Sequence, residues 1–168
     1  MVIEQASLRD IPTIRSIAFA SWPVAYKEIL STAQLAYMLD LMYSEASLTE
    51  QLTARGHQFL LAEMDRTSIG FAGFEHHCSG ERSTRLHKLY VLPDAQGNGA
   101  GRALLNAVQA AAREAGDAQV ELNVNRFNPS RAWYERHGFR FTRNEVIDIG
   151  SGYVMDDYVM VRSIDGAR

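Results

Sequence analysis

The sequence predicts an α/β domain of the α+β type, a mixed sheet with helices packed against it. Hydrophobic spacing switches repeatedly between the helical period and strand alternation, in the order β-α-α-β-β-β-α-β-α-β-β. One predicted strand also runs through a glycine-rich loop straight into an Ala-rich helix, which implies a sheet with helical connections. There is no internal repeat, low-complexity block or Pro/Gly/Ser-rich linker, so residues 1–168 read as a single domain.

Val2 to Ala6 reads as an opening strand. Ser7 or Asp10 can cap the helix that follows, with Pro12 in its first turn, where a missing N–H costs nothing. Ile11, Ile14, Ile17, Ala18 and Trp22 recur at helical spacing, and a second helical region covers Thr32 to Arg55, ended by Gly56. Gln58 to Met64 and Ser68 to Cys78 are strands joined at Asp65-Arg66-Thr67. Arg85 to Leu92 is the next, closed by Pro93-Asp94. The Ala-rich helix ends at Gly116, and Val120, Leu122 and Val124 alternate as a strand with one buried face. Pro129 opens a helix that Gly138 stops. Phe139 to Ile149 and Tyr153 to Val161 form a closing strand pair.

Composition excludes several classes. The net charge of −3 gives no global field for polyanions, so no nucleic-acid partner is expected. That value hides an asymmetry: Arg82 to Arg143 holds ten Lys plus Arg against five Asp plus Glu, and the remainder holds seven against fifteen. Glu4, Arg9, Asp10 and Pro12 precede any long apolar run, so no signal peptide is expected, and no apolar stretch is long enough for a membrane span. A single cysteine, Cys78, forms no internal disulfide. The expected location is cytoplasmic, with no membrane partner.

The chemistry concentrates in Leu89-Tyr90-Val91-Leu92-Pro93-Asp94-Ala95-Gln96-Gly97-Asn98-Gly99-Ala100-Gly101-Arg102. Glycines let the backbone approach a ligand, and a helix N-terminus offers unpaired N–H groups with partial positive charge, to which Arg102 adds a cation. The combination suits a pyrophosphate. A Walker loop fails on glycine spacing and lacks the Lys-Ser/Thr pair. A dinucleotide fingerprint fails because its third glycine falls on Arg102 or Leu104. Gln96-x-x-Gly99-x-Gly101 remains, with a ligand-free turn as the alternative.

This segment resembles the acyl-CoA pyrophosphate loop of the GCN5-related N-acetyltransferase (GNAT) superfamily. Leu89-Tyr90-Val91 resembles that family's fourth strand, and the stretch Asn123 to Phe139 resembles its second signature at Asn128, Ala132, Tyr134, Gly138 and Phe139. The paired signatures span residues 86 to 141. The resemblance implies a mostly antiparallel sheet of about seven strands with four to five helices, its fourth and fifth strands splayed around the cofactor's pantetheine arm. Leu89, Tyr90 and Val91 would line that arm. Gln96, Gly97, Asn98, Gly99, Ala100, Gly101 and Arg102 would wrap the pyrophosphate, and Asn125, Asn128 and Tyr134 would complete the acetyl-CoA site. The implied activity is direct acetyl transfer to a primary amine of a small molecule or peptide. The alternative is an acyl-CoA-binding regulatory module without catalysis.

Tyr134 is the expected general acid for the departing thiolate, though a core role fits its helix equally. For the base, the family's strand-four position falls on His87, a departure from the usual Glu. Glu121 on the next strand is the alternative. Trp22 and Tyr26 are candidate acceptor-site residues, as is Tyr43. Asp156 is the candidate carboxylate for a cationic amine, with Asp157 and Glu28 as alternatives; Asp156 and Asp157 fall on opposite strand faces, so one of the two faces a ligand. Loose likeness to bacterial polyamine acetyltransferases lies in these segments. His76-His77-Cys78 resembles a metal cluster, but adjacent strand residues diverge, and no metal is expected. A homodimer through the closing strands is compatible with the superfamily.

Overall fold

The computed structural model describes residues 1–166. Seven strands, β1 (Val2–Gln5), β2 (Gln58–Met64), β3 (Thr67–Glu75), β4 (Ser83–Val91), β5 (Gln119–Asn125), β6 (Arg140–Gly150) and β7 (Tyr153–Ser163), form one sheet in the order β1-β2-β3-β4-β5-β7-β6. Every neighbouring pair is antiparallel except β4 with β5. Five α-helices complete the mixed α+β architecture: α1 (Ile11–Ala25), α2 (Thr32–Tyr43), α3 (Glu45–Thr53), α4 (Ala100–Glu114) and α5 (Ser130–Arg136). Among the described residues no helix is long and apolar enough to cross a membrane.

Two hydrophobic cores flank the sheet. On one face α1 to α3 place Ile14, Ile17, Trp22, Leu39, Tyr43 and Leu48 against Phe59 and Phe71. On the other, α4 buries Leu104, Leu105, Val108 and Ala112 against Ala72, Phe74, Leu122 and Met160. Strand alternation therefore decides which core a side chain meets.

The feature that positions the site is the short pairing of β4 with β5. The parallel register runs from Ser83 opposite Gln119 to Leu86 opposite Leu122 and stops there. Both strands continue, β4 to Val91 and β5 to Asn125, so the two diverge into a wedge. On its other side β4 stays paired with β3, through Leu89 opposite Ala72 and Val91 opposite Gly70.

Two boundaries differ from the sequence reading. The Thr32 to Arg55 region is two helices, because Ser44 is extended (φ −61°, ψ 153°) and its hydroxyl accepts the Ser47 amide, capping a second start. Strand β3 stops at Glu75, three residues early, where His77 adopts a left-handed backbone (φ 51°). His76 and Cys78 are therefore not strand neighbours on one face. Both His76 and His77 turn to the buried Asp117, whose carboxylate also accepts a 2.6 Å hydrogen bond from Thr84. That cluster ties the β3–β4 connection to the α4–β5 loop.

Candidate active site

The glycine loop becomes a left-handed turn at the mouth of α4. Gly97 and Gly99 have φ of +86° and +81°, and Gly99 is the N-cap residue, with no side chain capping the helix. A side chain at either glycine would strain the backbone. The first-turn N–H groups of α4 stay available to an anion. Above them lies a cavity of about 560 Å³ lined by Leu89, Val91, Gln96, Gly97, Gly99, Ala100, Gly101, Arg102, Ser130, Trp133, Tyr134 and His137. Asn98 is exposed and does not line it. Trp133, whose ring lies 3.5 Å from a Cβ built on Gly101, and His137, stacked on Trp133 at 4.0 Å, form a wall that the motif did not single out.

A second cavity, of about 420 Å³, opens on the opposite face between the sheet, α1 to α3 and the β6–β7 hairpin. The sequence candidates Trp22, Tyr26 and Tyr43 border it, with Trp22 and Tyr43 also buried in the adjoining core. Gln51, Arg55, His57, Arg85, His87, Lys88, Tyr90, Asn123, Asn125 and Asp157 line it as well. Alternation along β4 explains the division: Leu89 and Val91 face the glycine-loop cavity, whereas Lys88 and Tyr90 face this one. Tyr90 and Asn125 thus border the second cavity rather than the loop cavity. The Tyr90 hydroxyl shares a 2.8 Å hydrogen bond with that of Tyr26, closing the α1 side.

Between these spaces the β4–β5 wedge leaves a gap of about 60 Å³. It shares Leu89, Ser130 and Tyr134 with the loop cavity, and Tyr26, His87, Lys88, Tyr90 and Asn123 with the second cavity. Asn128 lines the gap as well, and its Oδ1 accepts the Ser130 amide at 2.9 Å, setting the start of α5. The result is a narrow passage where β4 and β5 cease to pair, bordered by residues that also line the two cavities.

Tyr134 stands at the inner end of that passage, and burial holds its phenol well above the usual tyrosine pKa, so it remains protonated. Asp157 is 2 % exposed and points into the second cavity. Burial raises its pKa to about 6, despite the hydrogen bond from Asn123 that favours the ionised form. Asp156, the sequence candidate, turns outward to Arg126 at 3.1 Å and lines neither cavity. The carboxylate at the cavity is its neighbour.

The two sequence candidates for the base are also occupied. His87 lines the second cavity, but its Nε2 meets Glu75 at 3.0 Å, and burial, with Lys88, Arg85 and Arg55 nearby, lowers its pKa to about 3. Glu121 is opposite Arg85 in the parallel ladder, pairs with it at 2.6 Å, and lines none of the three spaces. His57, stacked on His87 at 4.3 Å, completes with Glu75 a trio whose ligand atoms lie within 4.8 Å of one another. That composition suits a transition metal, but Arg55, Arg85 and Lys88 around it oppose a dication. Lys88 is 8 % exposed, donates to Gln51 at 2.7 Å, and is lowered by burial to about 7. Lys88, His57 and Arg55 were missed in the sequence, which weighed Asp157 but singled out Asp156. Only the strand phase of Lys88 relative to Leu89-Tyr90-Val91 signalled any of them.

Comparison with known proteins follows this geometry. Residues 28–155 match the family model described as "Acetyltransferase (GNAT) domain". An uncharacterized N-acetyltransferase of Mycobacterium tuberculosis is 30 % identical, the match covering 94 % of this chain and 99 % of the relative. A spermidine N(1)-acetyltransferase of Thermoplasma acidophilum is 24 % identical, covering 92 % and 94 %. Among solved structures, the PaiA N-acetyltransferase of Thermoplasma acidophilum in complex with coenzyme A superposes with a TM-score of 0.79 at 25 % identity, covering 97 % of this chain and 99 % of the other. A GCN5-related N-acetyltransferase structure from Rhodopseudomonas palustris shares the fold, with a TM-score of 0.82 at 19 % identity over 97 % and 95 %.

Proposed function

The chain belongs to the GNAT acetyltransferase family and is an acyltransferase; from that premise we propose that it transfers acetyl from acetyl-CoA directly to a primary amine of a small molecule or peptide, with no covalent acyl-enzyme. The observation that carries this reading is the β4–β5 gap, whose lining residues are shared with both cavities. A donor on one face and an amine on the other would meet there, beside Tyr134.

The residues fit the donor. The uncapped α4 N-terminus, the left-handed glycines and Arg102 suit a diphosphate. Beyond Leu86 the β4 edge has no β5 partner, so Leu89 to Val91 offer backbone groups to an extended arm by strand addition. The Val91 carbonyl is partly engaged by the Ser21 and Gln96 side chains. Bound acetyl-CoA supplies the activated acetyl group and a thiolate leaving group.

Asp157 is the base in this reading. With a pKa near 6 it is ionised at pH 7 yet basic enough to accept the proton that an ammonium must lose before its nitrogen can attack. Tyr134 gives its phenolic proton to the leaving sulfur and recovers one through solvent from the acylated nitrogen. His87 and Glu121, bound to Glu75 and Arg85, serve the architecture around this pair. Direct transfer is supported by the position of Cys78, the single cysteine, in the β3–β4 connection away from all three spaces. A homodimer has support in the edge strand β6, where Phe141 and Val146 are exposed.

A thiol-release assay with acetyl-CoA and a panel of amines tests the proposal. Amine-dependent release is expected, with the protein's mass unchanged after acetyl-CoA alone. CoA binding without amine-dependent release would favour the regulatory module, and a mass increase of one acetyl group would overturn direct transfer.

A further inference from the structure

The second cavity has two electrostatically different ends. At one, Asp157 is the single carboxylate among the lining residues. At the other, Arg55, His57 and Lys88 come together with Gln51. Lys88 is nine-tenths buried, yet among the described residues no carboxylate lies within ion-pairing distance of it or of Arg55. Its Nζ has only the neutral Gln51 Oε1 and the faces of Tyr43 and Phe59, each at 5.6 Å. His57 is 6 % exposed, and its Nδ1 has no hydrogen-bond partner. Arg85 differs, since Glu121 and Glu145 neutralise it. Glu75 is held by His87 and His57 and does not line the cavity.

Buried cations and unpartnered polar atoms are costly unless something pairs with them. We propose that the acceptor is a small amine that also bears a carboxylate, which seats between Lys88 and Arg55 while the amine lies at Asp157. The walls between the ends are apolar, from Met38, Leu41, Met42, Ile147, Val154 and Met155, so the body of the acceptor is apolar. The volume of about 420 Å³ is at the small end for ligand pockets and suits a compound of amino-acid size. A polyamine fits poorly, because its second ammonium would lie among Lys88 and Arg55. This rests on the acetyltransferase reading for the role of the cavity, but the binding preference can be measured without turnover.

The experiment titrates the protein–CoA complex by calorimetry with leucine, methionine and phenylalanine, with their carboxamides, and with spermidine. Thiol release from acetyl-CoA is followed in parallel. The free amino acids should bind roughly 10- to 100-fold tighter than their carboxamides, as expected for charge-assisted hydrogen bonds. At pH 8 binding should take up protons, because a carboxylate beside Lys88 restores its ammonium, and Lys88→Met should abolish that uptake. Arg55→Met, at an exposed position, should weaken amino-acid binding while leaving CoA affinity unchanged. Equal affinity for acids and carboxamides, or tighter binding of spermidine, would overturn the proposal. Selective binding of the acids with no thiol release would uphold it and reject the catalytic reading instead.

Discussion

Asp157 and Tyr134 carry the proton chemistry proposed here, and burial raises both, which strengthens Asp157 as a base and keeps Tyr134 protonated. Asp157 is faced by Asn123 on β5, Glu145 and its neighbour Asp156 on the hairpin, Arg85 on β4 and Tyr26 just after α1. Desolvation outweighs the favourable contacts and lifts it from 3.8 to about 6. The rate should therefore rise with pH through about 6 as the carboxylate ionises, and Asp157→Asn should remove that limb and lower kcat by roughly 10²–10⁴. The same shift acts on stability with opposite consequence. A raised carboxyl pKa means the folded state binds the proton more tightly than the unfolded state, so stability falls as pH rises from about 4 to about 6. Chemical denaturation should find Asp157→Asn more stable than the parent at pH 7, by up to about 3 kcal/mol. Loss of rate with a gain of stability would separate catalysis from misfolding. Tyr134→Phe should lower kcat with little change in the KM for acetyl-CoA, as measured by thiol release. Full turnover across the pH range would remove the phenol from the mechanism. The choice between Asp156 and Asp157 was not legible in sequence, because a strand's phase depends on the pairing that fixes it. Here β7 places Asp157 opposite Asn125 on β5 and Glu145 on β6, turning Asp156 out to Arg126.

Elements whose boundaries are set locally were legible. Gly99 and Gly101 after a strand announced the start of α4, and the alternation of Val120, Leu122 and Val124 gave β5 its buried face. Tertiary contacts decided the rest. Ser44 interrupts a continuous helical pattern because its hydroxyl caps α3, and the end of β3 yields to the attraction of Asp117 for His76 and His77. The hairpin that closes the second cavity is held in the same way. The Tyr37 hydroxyl donates to the Ile149 carbonyl at 2.6 Å, and a Cβ on Gly150 (φ +89°) would lie 2.8 Å from that hydroxyl. Gly150→Ala should cost about 1–2 kcal/mol from the left-handed backbone alone, read as a lower denaturation midpoint. It should also raise the KM for the amine more than that for acetyl-CoA, since only the amine cavity borders the hairpin. In the glycine loop, Gly99→Val should do the reverse and raise the KM for acetyl-CoA.

At the scale of the whole molecule, the sheet is a partition whose strands β4 and β5 part beyond Leu86 and Leu122. Its two faces have separate cores, and the excess of basic residues between Arg82 and Arg143 accompanies the loop cavity and the strands of the wedge. The element order and the glycine loop before α4 could be read along the chain, because each is a local pattern. The second cavity could not, since Trp22, Arg55, Lys88 and Asp157 are distant in sequence and meet only when α1 to α3 and the hairpin close over the sheet. If donor and acceptor bind on opposite faces as proposed, both must be present before transfer, and initial velocities should give intersecting rather than parallel double-reciprocal lines. The most direct measurement is a crystal structure of the acetyl-CoA complex. The account predicts the diphosphate at the N-terminus of α4 over Gly97 to Arg102, and the acetyl group in the gap beside Leu89 and Tyr134, facing the Asp157 cavity. A donor bound within the Asp157 cavity, or one that leaves the β4–β5 gap empty, would contradict it.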